Sequence, residues 1–379
     1  MTTRRTFMTT AAIAAALAPT MLAAQTATGS GTTTPTNGSP LPMNAPTTGG
    51  KYRPLHRIGL GGVPLGNGFG KVVPEYVAFA TVQAAWDAGI RLYDTAPTYG
   101  YGRAERRLVP VLSNMPREEF VLSTKVGRVL HPDHTKSIED LWIFKDAPPF
   151  THTYDYSASG VRRSIEDSLQ RLGLSYIDIV YVHDLGPSTG DFPNGDWRAQ
   201  FEIARTGAFP ELTRMREEGI IKGWGLGINE ADGALATLEV ADPDIILLSY
   251  QYSLADHSTA LDGVLPALQA RGVHAMGATP LNTGFLNGRD RYNAVAIPEA
   301  MHERRARMQN IARSHGVDLG VAALQFVNAH PAYCGLVPGA SHPDQVRQNV
   351  AAFSVNIPAD FWAELRQEQL LDERAPIPA

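Results

Sequence analysis

From Leu55 onward, short apolar runs alternate with segments whose apolar residues recur every three or four positions. The runs read as strands and the amphipathic segments as helices. Strands are expected over 58–65, 90–93, 119–126, 176–182, 222–228, 245–249, 273–278 and 333–337. Helices are expected over 73–88, 104–112, 159–172, 208–218, 230–240, 260–270, 299–315, 319–329 and 343–353, with a last surface helix over 360–371. Gly89 and Gly173 stand where helices need a C-terminal stop. The stretch 128–156 shows neither period and is expected to be a long irregular insert. Strands alternating with helices predict a parallel sheet covered by helices. Eight such repeats favour a closed single-domain (β/α)8 TIM barrel, of class α/β, over an open doubly wound sheet. Gly59, Gly61 and Gly62 fall inside the first strand without G-x-G-x-x-G spacing, so the Rossmann dinucleotide fingerprint is absent.

The chain ahead of the barrel has a different texture. Arg4 and Arg5 precede Thr6, Phe7 and Met8, and an Ala-rich apolar stretch runs over 11–24. A charged start, an apolar middle and small residues at the end describe a secretory signal. The paired arginines give it the form of a twin-arginine signal. Residues 1–24 are therefore expected to be a signal peptide read by the Tat export machinery and cut near Ala23 or Ala24, which places the mature protein in the periplasm. The alternative is a cytoplasmic protein with a basic tail. Residues 25–50, rich in Thr, Pro, Gly, Asn and Ser, are expected to be a flexible linker, since they bury too little to offset their ordering entropy. The barrel is expected over 51–379.

Composition narrows the function classes. The formal net charge of the 379 residues is -5, and no Lys/Arg block lies beyond the N-terminus, so nothing points to nucleic acid. No later apolar run reaches the ~18 residues of a membrane span. Cys334 is the only cysteine, which excludes an intramolecular disulfide and a multi-cysteine zinc site. Its apolar neighbours read as core.

Active sites of such barrels lie at the C-terminal ends of the strands. Asp94 ends the second expected strand and Tyr99 follows in its loop; Lys125 is near the end of the third, His183 closes the fourth and Asn229 the fifth. Singly, each has a plainer reading: a turn aspartate, a loop aromatic, a snorkelling lysine, a strand-end histidine. Converging on one face, they make a proton relay. A tyrosine with its ordinary pKa near ~10 is a poor acid and base at neutral pH. A neighbouring Lys125 ammonium is expected to lower that pKa, and Asp94 to pair with the lysine. His183 is expected to hydrogen-bond the phenol or the substrate oxygen. Such a tyrosine protonates a carbonyl as hydride arrives, or deprotonates an alcohol as hydride leaves. The hydride itself requires a cofactor.

These residues carry a resemblance to the aldo-keto reductases. Tyr93-Asp94-Thr95-Ala96 with Tyr99-Gly100, Ser123-Thr124-Lys125, and Asp178 to His183 preceded by Ser168-Leu169-x-Arg171-Leu172-Gly173 resemble the family's motifs from about Leu60 to Phe353. The resemblance implies Tyr99 as acid/base with Asp94, Lys125 and His183 as partners, and NAD or NADP as cofactor. It implies cofactor contacts from Asn229 and from Gly339, Ala340, Gln345, Gln348 and Asn349. NADP-selective members often carry Lys or Arg where Gly339 and Gln345 stand, so NAD is slightly favoured; His342 and Arg347 remain as cations for a 2′-phosphate. The family's stacking tyrosine after strand seven is replaced by Ala278 or Thr279. The segments around Gly207-Ala208, 161–173 and 321–326 resemble the aldose 1-dehydrogenase and pyridoxal dehydrogenase subgroup. That implies oxidation of an aldose at C1 to a lactone, or action on the cyclic hemiacetal of a pyridine aldehyde, with Trp142, Phe144, Phe150 and Tyr154 of the insert as pocket walls. A general aldehyde or ketone reductase and an NAD(P)H-binding redox-sensing subunit stay open as alternatives. A metal-dependent isomerase needs carboxylate or histidine clusters at the strand ends, where only His183 with Asp184 is found.

Overall fold

Eight short apolar strands form one parallel sheet: β1 (Leu60–Gly61), β2 (Leu92–Asp94), β3 (Val121–Val126), β4 (Ile179–His183), β5 (Gly223–Ile228), β6 (Ile245–Ser249), β7 (His274–Ala278) and β8 (Tyr333–Leu336). In this computed structural model the described residues are 41–47, 49–190, 192 and 195–378. They fall in one compact unit, Ser39–Ala379. The expected signal peptide and linker residues 25–40 lie outside the described residues.

The sheet closes on itself. Parallel bridges join Ile58 to Leu336 and Gly61 to Gly339, and the Gly61 N–H donates to Pro338 O at 3.0 Å. The (β/α)8 barrel expected from the repeat count is the observed fold. Side chains alternate across each strand. Leu92, Val121, Ile179, Tyr181, Ile245, Leu247, Met276 and Cys334 pack together as one buried cluster inside the barrel. Their neighbours Tyr93, Leu122, Val180, Val182, Ile246 and Leu248 are buried against the helices instead. This period of two carries function: Asp94 is two residues beyond Leu92, Lys125 four beyond Val121, and His183 four beyond Ile179. The alternation that fills the barrel also turns these three polar side chains inward, at the upper end. Cys334 is core, with its thiol pushed up to about 12 by burial.

The helices form the outer layer: α1 (Glu75–Asp87), α2 (Arg103–Leu112), α3 (Ala158–Leu172), α4 (Trp197–Thr206), α5 (Ala208–Glu217), α6 (Ala231–Val240), α7 (Ser258–Asp262), α8 (Val264–Ala270), α9 (Glu299–Ser314), α10 (Leu319–Ala329), α11 (Pro343–Ala351) and α12 (Ala359–Gln367). The Ser157 hydroxyl caps α3 and Gly173 ends it in a left-handed conformation. The Asp318 carboxylate caps α10.

Several expectations are corrected. The first strand is shorter than 58–65, because a 3-10 turn over Pro64–Gly66 ends it. The helix expected over 260–270 is broken at Gly263 into α7 and α8. Helix α4 was not anticipated. The insert is not irregular: Arg128–Pro132 pairs antiparallel with Phe150–Tyr154, and Glu139–Leu141 with Phe144–Ala147. The second pair is tied to the loop after β1, with Phe69 N–H donating to Ile143 O (3.0 Å) and Lys145 N–H to Asn67 O (3.1 Å). Residues 41–47, at the end of the expected linker, lie against the barrel: Met43 bridges His56, and buried Asn44 donates to Pro54 O and Cys334 O, both at 2.7 Å.

Candidate active site

Tyr99 is set by a tight turn after β2. Gly100, Tyr101 and Gly102 all have positive φ, and the Ala104 N–H closes back on Tyr99 O at 3.1 Å. Gly66 packs directly on this turn, where a Cβ would stand 2.6 Å from the Tyr99 carbonyl carbon. Only a residue without a side chain permits that approach.

Beneath the ring lies a buried ion pair. Lys125 Nζ is 2.8 and 3.0 Å from the two Asp94 oxygens and 2.9 Å from Thr95 O. The Ser123 hydroxyl donates to Asp94 Oδ1 at 2.7 Å. The three ammonium donors thus have three acceptors, none of them the Tyr99 hydroxyl. Lys125 Nζ instead lies 4.6 Å from the Tyr99 ring centroid, a cation under a π-face. The His183 ring stands edge-on to Tyr99, 5.8 Å between centroids, and Phe144 of the insert flanks it at 6.2 Å. The four residues expected to converge do so.

A second buried ion pair adjoins the first. Arg128 Nη1 donates to Asp184 Oδ2 at 2.8 Å, and Asn229 Nδ2 donates to Asp184 Oδ1 at 3.2 Å. His183 Nε2 is 3.5 Å from the same carboxylate. His183 Nδ1 is buried with no hydrogen-bond partner among the described residues. Sequence reasoning left Arg128 and Asp184 out of the site. Asp184 directly follows His183, and that adjacency was the one available signal.

The electrostatics correct one expectation. Burial, and then the Asp94 and Asp184 carboxylates, hold the Tyr99 phenol well above its usual range, with Arg128 alone opposing them. The expected lowering by Lys125 is not observed, because Asp94 offsets the ammonium at 2.8 Å. Burial, reinforced by the Arg128 and Lys125 cations, pushes His183 well below the usual histidine range. Burial also raises Tyr250, at the end of β6.

Tyr99, Asp94, Lys125 and His183 line a cavity of about 790 Å³, within the ordinary range for small-molecule sites. The cavity runs from these residues to α11. Asn229, Gly339, Gln345, Gln348 and Asn349 line it as expected; Ala340 does not, being buried beneath. Of the expected aromatic walls, Trp142 and Phe144 line it, whereas Phe150 and Tyr154 do not. Tyr154 packs on Tyr156 and Phe192 instead. Ala278 and Thr279 line the cavity, as do three residues that sequence reasoning missed: Tyr250, Lys71 and Arg289. Tyr250 and Thr279 both have positive φ, and the Thr279 hydroxyl accepts from the Tyr250 N–H at 3.0 Å.

A phenol set over a buried lysine–aspartate pair, beside a neutral histidine, in a trough on the C-terminal face of a parallel barrel, fits the class of barrel oxidoreductases. The family model for the Aldo/keto reductase family matches residues 57–369. The chain is 39% identical over 332 residues to the pyridoxal 4-dehydrogenase of Microbacterium luteolum, covering 83% of this chain and 94% of that one. It is 35% identical over 322 residues to the D-threo-aldose 1-dehydrogenase of a Pseudomonas species, with the same shares, 83% and 94%. Among solved structures, an aldo-keto reductase from Bacillus halodurans in its holo form matches with a TM-score of 0.62 at 23% identity, covering 86% of this chain and 95% of that one. The chain belongs to the aldo/keto reductase family, and it is an NAD(P)-dependent oxidoreductase.

Proposed function

We propose that the chain oxidises an aldose at C1 to the lactone, with Tyr99 as the acid–base group. The observation that supports this most is that one cavity holds both the proton-handling cluster and the aromatic walls Trp142 and Phe144, in a chain similar to an aldose dehydrogenase over nearly that protein's full length. Aromatic faces suit the C–H surface of a sugar ring. The pyridoxal 4-dehydrogenase likeness supports a second reading. Pyridoxal's cyclic hemiacetal offers the same group, a ring-carbon hydroxyl beside a ring oxygen.

The residues present fit a nicotinamide cofactor. Asn229 adjoins the Tyr99 cluster, and the neutral amides of Gln345, Gln348 and Asn349 line the far end of the trough. When bound, the cofactor supplies the hydride acceptor. The protein's own part is the proton. As the C1–H bond gives up its hydride, the C1 hydroxyl gives its proton to the Tyr99 oxygen and the C=O bond forms. In this direction Tyr99 starts as the phenolate, which Arg128 alone favours among the surrounding charges; the protonated phenol, which burial favours, serves the reverse direction. His183, kept neutral by burial and standing edge-on to Tyr99, is placed to hydrogen-bond the substrate oxygen. NAD is favoured over NADP, since Arg347 does not line the cavity and pairs with Asp344 at 2.5 Å, while the Asp344 carboxylate also lies 3.3 Å from His342 Nδ1.

The test is a panel of aldoses, pyridoxal and simple aldehydes and ketones, each with NAD and NADP. The reading expects lactone formation from an aldose, with the higher kcat/KM for NAD. Turnover of simple carbonyls with no aldose oxidation overturns it.

Among the described residues no helix is long and apolar enough to cross a membrane. For residues 1–24 we propose Tat export of the folded protein with its cofactor bound. Sequencing the N-terminus of protein recovered from cell fractions tests this: a start near Gln25 in the periplasm supports it, and an intact Met1 in the cytosol overturns it.

A further inference from the structure

The Arg128–Asp184 pair is not explained by stability. Replacing a buried ion pair by apolar groups of similar volume is often neutral or stabilising. What distinguishes this pair is what its free valences do. Arg128 Nη1 takes Asp184 Oδ2 at 2.8 Å, and Nη2 reaches the Tyr154 hydroxyl at 3.3 Å, which anchors the guanidinium to the insert hairpin. That leaves Asp184 Oδ1 to accept from Asn229 Nδ2 at 3.2 Å.

The Asp184 backbone is fixed as firmly. It sits at φ 46°, a conformation costing about 1 kcal/mol or more for a non-glycine residue. Its N–H donates to Gly227 O at 2.8 Å, and its carbonyl accepts from the Thr189 hydroxyl at 2.6 Å. On the other side, Gln251 Nε2 donates to Asn229 O at 2.6 Å. Asn229 is therefore held at both its main chain and its side chain.

A side-chain amide can present either end. An ionised carboxylate accepts only, so Asp184 dictates that Nδ2 turns toward it. The Asn229 oxygen is then left as the end available to the cavity, where it can accept an amide N–H.

We propose that Arg128 and Asp184 are positioning residues for cofactor binding, acting through Asn229 by fixing the orientation of its side-chain amide. This rests on the functional reading above, in which Asn229 meets the nicotinamide end of the cofactor. Arg128 holds the carboxylate, the carboxylate sets the amide, and the amide selects its ligand group.

A double-mutant cycle tests this directly. The dissociation constant for NADH, with NADPH in parallel, is measured by fluorescence for the wild type, Asp184→Ala, Asn229→Ala and the double variant, with melting curves to establish folding. Loss of one neutral hydrogen bond is worth about tenfold in binding. Each single variant is expected to weaken binding about tenfold, and the double no more than about twofold beyond either. Losses that multiply in the double overturn the proposal, since a general structural role gives additive effects.

If Asp184→Ala fails to fold, the charge-neutral pair Arg128→Met/Asp184→Leu takes its place in the same cycle, with the same expectations. A wild-type protein that binds neither NADH nor NADPH sinks the functional reading together with this one. Multiplying losses in a wild type that binds sink this inference alone.

Discussion

Asp94→Asn removes one charge from a pair in which Lys125 is 1% exposed and Asp94 4%. At 2.8 Å and an effective dielectric of about 20, the lost Coulomb attraction is roughly 6 kcal/mol before any solvation return. Asparagine keeps an acceptor for Lys125 and for Ser123, and partial relaxation of the lysine recovers some of the rest. Breaking one partner of a buried pair typically costs about 3–5 kcal/mol, and the retained acceptor argues for the lower end, about 3 kcal/mol. For a chain of this size that lowers Tm by roughly 4 °C. Lys125→Met is expected to cost as much, since it strands the carboxylate. Asp94→Asn/Lys125→Met strands nothing and is expected to recover at least half of the loss. Urea unfolding followed by circular dichroism on all four proteins measures this. All three variants are expected to lose turnover, because each disturbs the cation 4.6 Å from the Tyr99 ring. Single variants within about 0.5 kcal/mol of the wild type, or a double variant as unstable as the sum of the singles, refute the reasoning.

Gly225→Ala places a Cβ 1.8 Å from the Ile245 carbonyl oxygen, so β5 and β6 must part; a loss above about 3 kcal/mol, or insoluble protein, is expected. Gly190→Ala, with nothing within 4 Å of its Cβ, serves as the control, and equal behaviour of the two contradicts the account. Burial holds His183, His257 and His330 below the usual histidine range. The unfolded chain therefore binds more protons than the native one below about pH 6.5. Stability is expected to fall as pH drops from 7.5 to 5, by up to about 1.4 kcal/mol per unit per histidine, and a urea midpoint unchanged over that interval refutes this. Trp142 is 76% exposed at the edge of the cavity, so Trp142→Ala is expected to raise the substrate KM several-fold with Tm unchanged and kcat within about twofold. A loss confined to kcat places Trp142 elsewhere in the reaction.

The barrel was legible because its pattern is local. Runs such as Ile179 to His183 alternate inward and outward residues, so the strand and the direction of His183 come from the same five positions. The insert was not legible, since its strands, such as Phe144–Ala147 and Phe150–Tyr154, are short, polar and only partly buried, and owe their order to pairing across the insert and with Asn67 and Phe69. Helix α4 was missed because only Gln200, Phe201 and Ala204 are buried in it, too few to mark a period.

The convergence of Asp94, Tyr99, Lys125 and His183 was legible because each sits at or just beyond a strand end, on the face where such barrels carry their sites. Arg128 and Asp184 are 56 residues apart, and no spacing links them. The direction of the Tyr99 shift was misread for the same reason. It depends on how completely Asp94 offsets Lys125 and on the nearness of Asp184, both products of tertiary packing.

Tyr99→Phe is the measurement closest to the central claim. It removes one oxygen and leaves the ring between Lys125, His183 and Phe144. Turnover of the best substrate is expected to fall by about 10²–10⁴, the usual worth of a general acid–base group, while the NADH dissociation constant stays within about twofold of the wild type. Turnover at the wild-type rate in a variant that binds NADH normally contradicts the assignment of Tyr99 as the proton-transfer group.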